Sequence, residues 1–366
     1  MTRAVAAVAV AAALLAAAVV VAVATPSHRA TAAAAVVQVD NSKITYDTFG
    51  ARIDAHDGRI VQDPAGVLWL FGTSYGCGFR FNKPSAYCGV RVYRSTDAQT
   101  WTPAGAVGGM YAFDALGPEW QNLCGGAAFG CFEAMPARRP DGTWVMWIQA
   151  GHLHAGYRVL TAPAPGGPYT PTGVDPVLAV SDGSGLPYGA ETIYPDPTDP
   201  ATAWLAYTTI DHVTKPGTSI HDIVVEKLDP TWTTGGGPHV RLGLLHSEGP
   251  GLFKRGNTWY LTYSDPACAY CATGTGWATA PSPLGPWSAT RGQLRSGSCG
   301  GQPTGVDVLR GSAGKTWYVW QVDRWVRGPN NTLIPNQYLA NNYLAPITFN
   351  ANGSIPVQTC TGRWTF

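Results

Sequence analysis

Downstream of residue 36, apolar and polar positions alternate in short runs that end at Gly, Pro, Asp or Asn, the pattern of half-buried strands joined by tight turns. Five segments repeat one design: HDGRIVQDPAGVLWLFGTS from His56, FEAMPARRPDGTWVMWIQAG from Phe132, AETIYPDPTDPATAWLAYTTID from Ala190, SEGPGLFKRGNTWYLTYSD from Ser247 and GQPTGVDVLRGSAGKTWYVWQVDRW from Gly301. Each opens on an acid or amide, namely Asp57, Glu133, Glu191, Glu248 or Gln302. A short extended piece and a turn follow, then an alternating run led by Trp69, Trp144, Trp204, Trp259 or Trp317. That is a β-hairpin, and stretches such as VRVYRSTDAQTW and GWATAPSPLGPW supply a third strand and another turn. The leading residues recur about every 55–60 positions, the span of a four-stranded unit, after a longer first interval that holds an insertion around Cys124 to Cys131.

Five such units, with almost no helical periodicity outside the N-terminus, predict an all-β chain folded as a five-bladed β-propeller. The innermost strand of each blade lines the central channel in that architecture, so the five leading residues would face one cavity. A β-sandwich or a longer β-solenoid, with these acids scattered, is the competing architecture.

Composition narrows the partners. Charged residues make up 13% and the formal net charge is +1, which disfavours nucleic acid and anionic membrane surfaces. The chain carries 14 Trp, 16 Tyr, 44 Gly and 29 Pro, a mixture suited to many short strands and turns. The N-terminus, MTRAVAAVAVAAALLAAAVVVAVATPSHRATAAAA, is a short basic start, a long Ala/Val run and small residues. It reads as a signal peptide and small-residue linker over 1–35, cleaved between Thr25 and Val37, ahead of a catalytic domain over 36–366. An uncleaved anchor is the alternative, since the run is long enough to span a bilayer. Eight cysteines in an exported chain suggest disulfides: Cys77 with Cys88, Cys124 with Cys131, Cys268 with Cys271, and Cys299 with Cys360 by elimination. CAYC alone, without a second CxxC or a nearby His pair, is a weak zinc or redox motif.

Several carboxylates converging on a cavity rich in aromatics suit glycosidic bond cleavage. An inverting glycosidase needs one carboxylic acid to protonate the leaving oxygen and one base to activate water on the opposite face, roughly 6.5–9.5 Å away. Opposite walls of a propeller channel offer that separation.

The blade openings resemble glycoside hydrolase family 43, a five-bladed propeller family. Its usual pattern is an Asp base in blade 1, an Asp that tunes the acid in blade 3, and a Glu general acid in blade 4 within E-x-P-x-x-(F/Y). The stretch EGPGLF matches the last, so Glu248 resembles the general acid; DGRI places Asp57 as the base; ETIY puts Glu191 at the tuning position, one methylene longer than Asp. The resemblance is closest to the exo-β-1,3-galactanase branch, through SPLGPW, GGQPTGV, VDRW, NNYLAPITF, DAHDG and EAMP. Some members of that branch lack the blade 1 Asp, and a Gln in blade 5 is proposed to activate water as an imidic acid. Here both Asp57 and Gln302 are present, so Gln302 is the expected orienting or substrate-binding group. Where the branch has a Glu after its first hairpin this chain has Thr73, and the Arg-Pro that follows the blade 2 Glu is replaced by Ala134 and Met135.

The resemblance implies an inverting glycosidase of plant-type polysaccharide, galactan 1,3-β-galactosidase-like, and the signal-like N-terminus a secreted, extracellular one; a monomer without cofactor is expected, and no metal, because no carboxylate and carbonyl pattern resembles a calcium loop. Its partner is a polysaccharide or oligosaccharide, not nucleic acid, and not a membrane once the signal is removed. Glu248, Asp57, Glu191 and Gln302 are the expected catalytic set, with Glu133, Trp277, Trp325 and Tyr75 as substrate contacts. Asp54 competes with Asp57 for the inward position, and strand alternation turns His56 away if Asp57 faces in. An arabinan- or xylan-directed family 43 enzyme and a carbohydrate-binding propeller without catalysis are the alternatives.

Overall fold

The computed structural model describes residues 38–366 apart from 82, 127–129, 151–155, 181–187, 212–219, 245–246, 265–273, 289–291 and 312–313. The expected signal segment and the CAYC cysteines therefore lie outside the described residues.

The hairpin repeat becomes five antiparallel sheets. Blade 1 is His56–Gln62, Leu68–Thr73, Val90–Ser95 and Thr102–Pro103 in spatial order. Blade 2 is Cys131–Arg138, Trp144–Ala150, Tyr157–Ala162 and Thr170–Pro171. Blade 3 is Tyr188–Pro195, Ala203–Asp211, Ile220–Lys227 and His239–Arg241. Blade 4 is Gly251–Arg255, Thr258–Ser264, Thr275–Ala280 and Gly292–Arg295. Among the described residues blade 5 has three strands, Gln302–Arg310, Thr316–Arg324 and Asn341–Pro346. The first strand of each blade touches that of the next, and the ring closes from blade 5 back to blade 1. The five-bladed propeller is the fold.

Packing follows from the alternation. Five clusters of buried apolar residues occupy the five boundaries between adjacent blades, each built from side chains of both neighbours. Trp147 and Trp232 anchor the boundary between blades 2 and 3, Trp204 and Trp259 that between 3 and 4, and Trp320 that between 4 and 5. Deleting a buried ring of this size costs roughly 3–5 kcal/mol, so these contacts fix the angle between blades. The leading tryptophans also lock the turns that precede them: Trp69 Nε1 donates to Asp63 at 3.0 Å and Trp204 Nε1 to Asp196 at 3.2 Å. The termini cover the free edge of blade 5. Val39–Asp40 pairs with Arg363–Trp364, while the Asn41 side chain bonds both backbone groups of Leu344.

Three of the expected disulfides are present, Cys77–Cys88, Cys124–Cys131 and Cys299–Cys360. The first two brace the insertion between blades 1 and 2. Its helix, Pro118–Cys124, begins with proline at a position where a missing N–H costs nothing, and Gln121 clamps both backbone groups of Tyr87.

A buried arginine closes the axis of the ring. Arg59 Nε pairs with Asp307 of blade 5 at 2.6 Å, and its two terminal nitrogens donate to Thr192 Oγ1 of blade 3 at 2.6 Å and to the Val306 carbonyl at 2.7 Å. Thr192 Oγ1 in turn donates to the Pro250 carbonyl of blade 4 at 2.5 Å. Four blades are thus joined through one guanidinium. The leading acids lie at the N-terminal starts of the inner strands, on one side of this plug. A cavity of about 540 Å³ lies toward the strands' other ends, lined by Arg138, Trp144, Tyr194 and Arg310, and it holds none of the leading acids.

Candidate active site

Backbone irregularity aims the acids. In blade 1 the ladder slips between His56 and Arg59, and in blade 2 between Phe132 and Met135. The residues that lead each slip, Asp57 and Glu133, have φ of 51° and 56°, left-handed values that cost a side-chain-bearing residue roughly 1–3 kcal/mol. A bulge of this kind re-aims a side chain that strict alternation would point elsewhere. Gly58 completes the blade 1 bulge, since a Cβ there would overlap the Phe71 carbonyl at 1.6 Å. Blade 3 differs: its slip falls between Tyr188 and Glu191, leaving Glu191 in register opposite Tyr207.

Glu248 is held by the next strand. Its N–H donates to Ser264 Oγ at 2.6 Å and its carbonyl accepts from Ser264 N at 2.7 Å. Gly249, at φ 62°, lies so close to blade 5 that a Cβ would stand 2.5 Å from the Pro303 carbonyl. That close approach seats Glu248 against Gln302, whose Nε2 donates to Glu248 Oε1.

The electrostatics follow from burial. Glu248 and Glu133 keep part of their surface open, while protein surrounds their carboxylates. Loss of hydration pushes Glu248 up to about 7, against the opposing hydrogen bond from Gln302. Asp57, 6% exposed, is also pushed up to about 7, by burial first and then by the charge of Asp323. His56 and a 3.3 Å hydrogen bond from Trp325 Nε1 oppose that rise. Glu133 rises well above the ordinary range through burial and the charges of Asp57 and Glu248, partly offset by the Glu191 N–H, which donates to its Oε2 at 3.0 Å. Asp57 and Glu248 each raise the pKa of Glu133, and Glu248 that of Asp57, so the three acids titrate as a coupled set.

The structure thus brings Asp57, Glu133, Glu248, Gln302 and Trp325 together, and it gives other expected residues different places. Glu191 is fully buried; burial first and then the Glu133 charge push it well above the ordinary carboxylate range, opposed by backbone hydrogen bonds from Gln149 and from Glu191 itself. The charge it meets is that of Glu133, whose Oε2 accepts from the Glu191 N–H at 3.0 Å. Tyr75 is 1% exposed and meets the His56 ring edge-on at 5.3 Å, so its face is not open to a sugar. Trp277 packs against the core between blades 4 and 5, and its ring abuts Gly292. Asp54 is tied to the backbone N–H groups of Tyr75 and Gly76 and to Ser74 Oγ, and despite its burial it is held below the usual carboxylate range, by His56 first and then by Ser74 and the Tyr75 N–H. It is a structural carboxylate, and Asp57 is the inward one.

The half-buried Trp325 ring lies 5.4 Å from Phe81, which lies 5.4 Å from Phe132, forming an aromatic wall beside Asp57. Phe81, Arg59 and Asp323 were not among the expected site residues. Asp323 was visible in VDRW, and Arg59 two positions after Asp57, but neither stands at a leading position of the repeat. Among the described residues no group of three or more His, Cys, Asp or Glu side chains is arranged to hold a metal ion.

Five blades, three of which bring their leading carboxylates together beside the leading amide of a fourth, define a propeller hydrolase site. The model of glycosyl hydrolases family 43 matches residues 73–353, and the chain belongs to that family and is a glycosidase. The match begins after the strand that carries Asp57. No curated protein matches the chain in sequence. Among solved structures, it is similar to a β-1,3-galactosidase of family 43 with galactodeoxynojirimycin, at 19% identity and a TM-score of 0.67 over 90% of this chain and 100% of that one. It is also similar to the exo-β-1,3-galactanase from Phanerochaete chrysosporium with galactose (19%, TM-score 0.68, 90% and 68%). A third similar structure is the exo-β-1,3-galactanase from Clostridium thermocellum (20%, TM-score 0.66, 87% and 64%). At these identities the likeness extends to the fold.

Proposed function

We propose that this chain is an exported exo-glycosidase that removes terminal β-1,3-linked galactose from a galactan or its oligosaccharides with inversion, Glu248 acting as general acid and Asp57 as general base. The observation that carries the reading is the pairing of Glu248, on the wall of blade 4 against Gln302, with Asp57 on the wall of blade 1, each pushed up to about 7. Gln302, from the blade between them in the ring, engages Glu248 Oε1 and leaves Oε2 to carry the proton to the leaving oxygen. Asp57, held by Trp325, takes a proton from the attacking water on the other face of the sugar. Glu133 faces both and is suited to binding sugar hydroxyls, and the Trp325–Phe81 wall supplies apolar ring contact. The galactan preference rests on the blade 5 and C-terminal stretches that resemble the galactanase branch, and export on the N-terminal Ala/Val run.

The test is a panel of β-1,3-galactan, arabinan, arabinoxylan and aryl glycosides. The expected result is release of galactose from β-1,3-galactan at a kcat/KM at least tenfold above that on any pentosan. Arabinose or xylose as the main product would move the chain to the pentosan-directed reading.

A further inference from the structure

His56 has no assigned role, yet it is fully buried directly beside the residue read as the base. Its Nε2 lies 3.5 Å from Asp54 Oδ1, and its Nδ1 lies 3.4 Å from Asp323. A neutral imidazole carries one N–H and would turn a lone pair toward one of these carboxylates, so a ring with both nitrogens facing carboxylates suits the imidazolium form. The position is rigid. Asp54 accepts from Ser74 Oγ at 2.6 Å, Tyr75 N at 2.8 Å and Gly76 N at 3.0 Å, and the Tyr75 ring covers the imidazole edge-on. Asp323 pairs across the blade 5 ladder with Gln302, and its carbonyl accepts from Trp325 N at 3.0 Å, so the clamp reaches both the Glu248 partner and the Asp57 partner.

The charges facing Asp57 are Asp323 from blade 5, His56 from its own strand and Glu248 from blade 4. Glu133 of blade 2 feels Asp57 in turn, while Asp54 and Tyr75 close the far side of the imidazole. In this crowd His56 supplies the cation that abuts Asp57. Resting on the reading of Asp57 as base, we propose that His56, clamped between Asp54 and Asp323, is a positioning residue that cancels carboxylate charge beside Asp57 and keeps it ionised to accept the proton of water. Burial alone would neutralise the imidazole, but the two carboxylates outweigh it and lift His56 to about 10, so the cation persists through the working pH range.

The test is the pH dependence of kcat/KM for His56→Gln and Asp323→Asn beside wild type. Losing the cation raises the Asp57 pKa, so His56→Gln is expected to move the acid limb to higher pH by about one unit. The alkaline limb, set by Glu248, stays in place. Losing the anion in Asp323→Asn moves the acid limb the other way. A uniform loss of rate with neither limb displaced would reduce His56 to a packing residue and overturn the proposal. If His56→Gln does not fold, ¹⁵N NMR of histidine-labelled wild type decides: both ring nitrogens protonated at pH 8 is the expected state, and a neutral tautomer overturns it. Asp57→Asn separates the two readings. Retained activity there sinks the base assignment itself, whereas an inactive Asp57→Asn with an unmoved limb in His56→Gln sinks only the role of His56.

Discussion

Glu248→Gln is expected to lower kcat on the proposed galactan substrate by roughly 10²–10⁴-fold, the usual contribution of a general acid. The substitution keeps shape and removes only the transferable proton. Folding survives, because blade 4 holds this residue through its backbone, with Ser264 bonded to the Glu248 N–H and carbonyl. Two further readouts separate an acid from a binding residue. Aryl glycosides with good leaving groups need little protonation, so their rate falls far less than that of galactan. The alkaline limb of kcat/KM, which in wild type reports loss of the Glu248 proton as pH rises through about 7, disappears. Equal loss on galactan and on activated aryl substrates, measured at matched folding by thermal unfolding, would remove Glu248 from the acid role.

Asp57→Asn and Gln302→Ala divide the base function. Asparagine tolerates the left-handed backbone at φ 51°, so the bulge and the Trp325 contact persist while the proton acceptor is lost. The expected fall in kcat is again roughly 10²–10⁴-fold, and the acid limb, which reports protonation of Asp57 as pH falls through about 7, vanishes. Gln302→Ala is expected to act through the acid instead. Its amide opposes the rise of Glu248, so removing it raises that pKa further and moves the alkaline limb to higher pH. The rate loss should be smaller than for Asp57→Asn. Loss confined to the Gln302 variant, with Asp57→Asn near wild type, would hand water activation to the amide. Pre-steady-state and steady-state rates on one galacto-oligosaccharide distinguish these outcomes.

Much of this geometry could be read from the residues. A leading acid or amide, a turn and a Trp-led run, repeated five times, were enough to place Asp57, Glu133, Glu248 and Gln302 around one channel. Three cysteine pairs followed from spacing and elimination. What escaped the reading shares a cause. Period-two alternation locates side chains only in a regular ladder, and the ladder slips at the very positions that carry the chemistry. Glu191 was matched to the blade 3 tuning position by resemblance, and in the fold its N–H bonds Glu133. Tyr75 and Trp277 follow hairpins that reach the channel mouth in sequence, yet their rings complete packing around His56 and between blades 4 and 5. Arg59, His56 and Asp323 gain meaning only through partners far away in sequence, such as Asp307 for Arg59, and no local pattern marks such pairs.

The central claim is that two carboxylates on separate walls, one donating and one accepting a proton, displace the leaving group with water in a single step. Its most direct test is ¹H NMR of the sugar released from a β-1,3-galacto-oligosaccharide during the first minutes of reaction, before mutarotation. Inversion by Glu248 and Asp57 yields α-galactose first, with the β anomer growing in later; β-galactose as the first product would mean retention and would contradict the assignment of Asp57 as a base acting on water.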